Sequence, residues 1–203
     1  MLQSDVFNKS SIPKIYDNNY LIDLEELELS ELELELCKEL VRRTKQDEKE
    51  HGTAIQHGVV VMNDGREFYY TSGRRDSIDL PTEILTIANL SDSNLILLHS
   101  HPDNLPPSRS DVEQLLRIGV SSIIVVGKNN LVFKVNNMSY RPSTDDWDYY
   151  YKYMVRNVNE ELAFNEILGE LSYSERNFIA QHETIFRIVR QFGWKIEGGY
   201  LNV

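Results

Sequence analysis

LILLHSHPDNLPPSRSD, residues 95–111, sets both the fold and the chemistry of this chain. Leu95–Leu98 is an unbroken apolar run, as a strand buried on both faces of a sheet requires. His99 and His101 follow at its end. On an extended chain residues i and i+2 point to the same side, so both imidazoles can reach one metal ion. Pro102 stops ladder pairing, and a loop holding Pro102, Pro106 and Pro107 leads to Ser108 and Asp111. Asp111 falls in the first turn of an amphipathic helix, Ser108 to Ile118, where its carboxylate can point back at the strand end. Two imidazoles and one carboxylate make three protein ligands and leave a fourth position for water, which is how catalytic zinc differs from structural zinc. Each fragment alone has an ordinary explanation. His-x-His is common, and Ser108 with Asp111 is what a helix N-terminus wants on its own account. Together, on a strand–loop–helix frame, they read as a metal site. A buried strand end has no structural need for two titratable rings.

The flanking sequence supplies the rest of an α/β domain. LEELELSELELELCKEL, residues 24–40, alternates Leu and Glu, but both are strong helix formers. Ser30 followed by Glu33 is a capping-box pattern, so a helix is expected over Glu31–Lys45, burying Leu32, Leu36, Leu40 and Val41. The Glu run reads as a solvated helix face. His57–Met62 and Glu67–Thr71 flank Asn63-Asp64-Gly65, a hairpin signal. Pro81 and Thr82 open a short helix to about Asn89. Ser122–Val126 is a second buried strand, and Lys128-Asn129-Asn130 turns it into an antiparallel mate, Leu131–Val135.

After Pro142 the pattern becomes helical, from Asp145 to about Leu168 and from Ser174 to about Phe192, where Gly193 ends it. The expected architecture is therefore α/β, a central mixed sheet flanked by helices over residues 20–142, with a helical extension over 143–203. Trp147, Tyr149, Tyr150, Tyr151 and Tyr153 crowd the first of these helices. Packing onto the domain is the plain reading; a partner or oligomer surface is the other.

Composition bounds the partners. The chain has 203 residues, with 21 Lys and Arg against 32 Asp and Glu, a net charge of −11. That argues against a broad phosphate-gripping face, so no nucleic acid is expected. The single cysteine, Cys37, permits no intrachain disulfide and suits a reducing compartment. No apolar run approaches the ~20 residues of a membrane span. The segment MLQSDVFNKSS has no apolar core of a signal peptide. A cytoplasmic location without membrane association is the expectation.

Three metal-hydrolase patterns contain His-x-His. The metallo-β-lactamase pattern needs a histidine where Asn104 stands, and both it and the amidohydrolase barrels need further histidines downstream. Only His182 follows. The third fits: His99-Ser100-His101-Pro102, then Ser108, then Asp111 resembles the JAMM (MPN-plus) metalloprotease family. The likeness covers about residues 48–136 and the order of elements. It departs from the family in having six rather than seven residues between the second histidine and the serine, Pro102–Pro107.

The resemblance implies a central mixed sheet with cytidine-deaminase-like layering and a Zn2+ ion on His99, His101 and Asp111. It implies a glutamate acting as general base early in the domain, for which Glu50 is the candidate and Glu48 the alternative. It gives Ser108 the role of oxyanion donor. The implied activity is hydrolysis of peptide or ubiquitin-like isopeptide bonds in a protein or peptide substrate. The rival in another class is a catalytically silent scaffold of the same fold. A DNA-repair association, a label some bacterial relatives carry, sits badly with the charge of −11.

Overall fold

The computed structural model describes residues 25–71, 73–75, 77–137, 140–167 and 173–201, apart from the side chains of 25, 164–166, 174, 175 and 178. Residues 20–24 of the expected domain, and the side chain of Ser174, lie outside that description.

Among the described residues seven strands form one mixed sheet: β1 Glu25–Glu26, β2 His57–Val61, β3 Glu67–Thr71, β4 Leu95–His101, β5 Val120–Gly127, β6 Leu131–Asn136 and β7 Lys195–Tyr200. Their spatial order is β1-β7-β6-β5-β4-β2-β3. The β4–β5 and β1–β7 pairs are parallel and the other pairs antiparallel. The helices are α1 Glu31–His51, α2 Thr82–Ala88, α3 Arg109–Glu113, α4 Thr144–Ile167 and α5 Tyr173–Gln191, with one 3-10 turn, Gln114–Leu116, after α3. The expected α/β class with a mixed, helix-flanked sheet is what the chain forms.

Strand alternation divides the core into two layers. Ile96 and Leu98 of β4 join Val59, Val61, Ile124 and Val126 against Leu36, Leu40 and Val41 of α1. Leu95 and Leu97 join Val60, Ile123 and Val125 on the opposite face, against α2, α3, α4 and α5. Since β4 and β5 are covered on both faces, their continuous apolar runs are what the architecture requires. His99 and His101 continue the Leu95–Leu97 side of β4, so they face α3, with α1 behind the sheet.

Helix α1 starts where Ser30 predicts. Ser30 Oγ accepts from Glu33 N–H while Glu33 accepts from Ser30 N–H. It runs six residues past the expected Lys45, to His51, because the 41–51 stretch contains no helix breaker before Gly52, whose φ of 70° closes the helix. Leu36, Leu40 and Val41 are buried as expected, whereas Leu32 is exposed. The expected Ser108–Ile118 helix tightens into the 3-10 turn, since extended backbone is needed from Arg117 to re-enter the sheet at β5.

The segment after residue 142 is not a separate helical appendage. Its last strand, β7, pairs with β6 along Leu131–Tyr200 to Asn136–Lys195 and carries β1 on its far side. Trp147 of α4 and Ile185, Phe186 and Val189 of α5 belong to the same core as Leu97 and Ile123. KIEGGY, with two glycines and two charges, lacks a strand pattern of its own, and pairing with β6 decides its conformation. Trp147 stacks on Trp194 and Phe192, each at 5.8 Å between ring centroids. Tyr150 and Tyr151 pack against the core, while Tyr149 and Tyr153 are exposed. Most of the aromatic crowd is therefore domain packing.

Candidate metal centre

The strand end and the helix start converge as their spacing predicts. His99 Nε2 lies 3.1 Å from His101 Nε2 and 3.1 Å from Asp111 Oδ1, and His101 Nε2 lies 3.4 Å from Asp111 Oδ2. Donor atoms 2.0–2.2 Å from a tetrahedral zinc stand roughly 3.3–3.6 Å apart, so this triangle fits a small divalent cation with little adjustment. Among the described residues these three form the group able to hold a metal ion. Their side chains are largely buried.

Each ligand is aimed by its own local structure. Asn104 N–H donates to His101 O at 3.0 Å, and Asn104 takes a φ of 59°, which turns the chain directly after β4. That turn brings Leu105 O to His101 Nδ1 at 2.8 Å. A carbonyl only accepts, so Nδ1 carries the proton and Nε2 keeps its lone pair for a cation. Asp111 is fixed by the cap of α3. Its Oδ2 accepts Ser108 N–H at 2.6 Å, and its own N–H donates to Ser108 Oγ at 3.3 Å. From behind, Arg109 pairs with Asp148 of α4, and Glu113 accepts from Trp147 Nε1 at 3.0 Å. Helix α3 is thereby held by the C-terminal segment.

In the metal-free site the three groups titrate together. Burial favours a neutral Asp111, but the two facing imidazoles, by charge and hydrogen bonds, hold its carboxyl well below the usual range. For His101, burial disfavours the charge, yet the hydrogen bond and charge of Asp111 outweigh it and leave the pKa raised. A divalent cation bound here would replace the imidazole protons that face Asp111, each histidine then offering a neutral nitrogen.

Of the other expected residues, Ser108 lines the cavity beside the ligands; its hydroxyl oxygen accepts Asp111 N–H in the α3 cap and lies 2.9 Å from Ser110 Oγ. Glu50 does not reach the centre. It stands near the end of α1, behind the sheet, with a side chain 51% exposed and accepting from Gln46 Nε2 at 2.8 Å. Glu48 pairs with Lys128 at 2.7 Å. The reason is α1's extra turns. They keep residues 46–51 helical on the far layer, and the chain joins β2 only after Gly52.

A cavity of about 440 Å³ opens beside the ligands. Its walls include Gln56, Tyr70, Arg75, Asp79 and, from α5, His182. Gln56 is buried and precedes Gly58 by two positions, and Gly58 pairs with His99. Period-2 alternation thus sets Gln56 on the ligand face and His57 on the α1 face, where His57 meets Asp47. Sequence reading passed over Gln56, although the same alternation was available in AIQHGVVV. The placement of Tyr70 and His182 had no local signal.

No family model, no curated protein and no solved structure matches this chain. No helix among the described residues is long and apolar enough to cross a membrane.

Proposed function

We propose that this chain is a zinc-dependent hydrolase of amide bonds, acting on a peptide or on an isopeptide bond of a ubiquitin-like conjugate. The observation that supports it best is the convergence of His99, His101 and Asp111 within 4.8 Å at the wall of a cavity. Three protein ligands leave a coordination position open, and zinc so held lowers the pKa of a bound water to ~7, the chemistry that amide hydrolysis needs. The cavity's size suits a short stretch of extended peptide. His101 is oriented by Leu105 O, and Asp111 by the Ser108 cap, so the donor set is prepared before any ion arrives.

A second reading, a metal-binding scaffold without turnover, draws on one observation. Gln56, a neutral amide, lines the cavity, while Glu50, the expected proton acceptor, stands behind the sheet. The experiment that separates the two loads the full chain with zinc and measures metal content together with cleavage of a fluorogenic peptide and of an isopeptide-linked ubiquitin-like conjugate. The hydrolase reading expects about one zinc per chain and chelator-sensitive cleavage, both lost in His101→Ala. Zinc without cleavage of either substrate leaves the scaffold reading. No uptake of zinc or another divalent metal removes both.

A further inference from the structure

Tyr70 sits on β3, two strands away from His99 on β4, with β2 between them. Strand spacing is about 4.8 Å, so only a long side chain lying flat across β2 can reach from one to the other. Tyr70 does so. A Cβ built on Gly58 would stand 2.4 Å from Tyr70 Cζ and 2.7 Å from its hydroxyl oxygen. Gly58 is the register partner of both Tyr70 and His99. The glycine is thus a notch in the middle strand, and the phenol end of Tyr70 lies in it, between the registers of Tyr70 and His99. The same hydroxyl-bearing side chain and the three ligands line one cavity.

We propose that the Tyr70 hydroxyl is a hydrogen-bond donor to an oxygen atom held at this centre, the carbonyl or oxyanion oxygen of an amide-like ligand. The inference rests on the metal reading above and adds a residue to it. Chemically the group is suited to the task. Burial and the Asp111 carboxylate both push the phenol's pKa up, so it stays protonated and can donate across the neutral range. A preorganised neutral donor beside the centre stabilises developing negative charge on oxygen without adding a competing ligand to the metal. The Ser108 hydroxyl oxygen accepts Asp111 N–H in the α3 cap and lies 2.9 Å from Ser110 Oγ.

The test uses zinc-loaded full-length chain and acetohydroxamate, a small ligand that presents oxygen atoms to zinc, followed by titration calorimetry. Tyr70→Phe keeps the ring in the Gly58 notch and removes only the hydroxyl. Zinc stoichiometry and the melting curve should match wild type, while acetohydroxamate binds roughly five- to tenfold more weakly. Gly58→Ala keeps the phenol but forces its end out of the notch, and should weaken acetohydroxamate similarly with zinc retained; it carries the test if Tyr70→Phe fails to fold. Unchanged acetohydroxamate affinity in either folded, zinc-loaded variant overturns the role of Tyr70 and leaves the metal reading standing. A wild-type chain that takes up no zinc overturns the metal reading and this inference with it.

Discussion

Ser108 N–H donates to Asp111 Oδ2 at 2.6 Å, while Asp111 Oδ1 stands 3.1 Å from His99 Nε2. One carboxylate therefore closes a helix cap and completes the triangle of groups able to hold a metal ion. Capping and ligation are the same geometric fact: the N-terminus of α3 is anchored where the strand β4 ends, and the cap selects the rotamer that faces the imidazoles.

The double role separates under mutation. Asp111→Asn keeps an oxygen able to accept Ser108 N–H but loses the charge, so the fold should hold while zinc affinity falls at least tenfold. Asp111→Ala loses both, and should cost a further ~1 kcal/mol of stability in the metal-free protein. Denaturant melts and zinc titrations on both variants check this; equal stability of the two would show that the cap does not depend on residue 111.

Ser108→Ala should act chiefly through the cap. The expected result is ~1 kcal/mol lower stability, with activity per zinc-loaded molecule largely retained. Ser110→Ala should be close to wild type in both. A stable Ser108→Ala protein with kcat reduced by ~10²–10³ would instead return Ser108 to an oxyanion role.

Glu50→Gln and Glu48→Gln should leave zinc content and any cleavage rate within about twofold of wild type, because neither carboxylate lines the cavity and each is bonded to another side chain. Gln56→Glu, by contrast, puts a carboxylate into the cavity wall. It should raise amide cleavage by tenfold or more if proton transfer limits the rate, within the ~10²–10⁴ that a positioned base supplies. Steady-state rates on the peptide substrate decide the matter. A severe loss of activity in Glu50→Gln with zinc intact would show that α1 reaches the centre after all.

Trp147→Ala should destabilise the whole domain by ~3–5 kcal/mol, since the ring is fully buried against Phe192 and Trp194. A single cooperative melt, lowered as a unit, is the expected trace. A chain truncated after Pro142 should not fold, having lost β7 and more than a third of the buried residues of one core layer. Survival of a folded 25–142 fragment would make the C-terminal segment an independent unit.

The sequence by itself determined the class of fold and the metal triangle. These rest on local rules: apolar runs make buried strands, i and i+2 share a face, and a serine three residues before an aspartate caps a helix. All the information for His99, His101 and Asp111 lies within one strand, one loop and one helical turn. What crosses the molecule was decided only by tertiary structure. Glu50 looked close to β2 along the chain, yet the continuation of α1 to Gly52 leaves it behind the sheet. β7 has no strand pattern, and β6 gives it one. The path of Tyr70 across Gly58 toward His99 depends on the register of three strands, a non-local pairing that no periodicity in any one of them records.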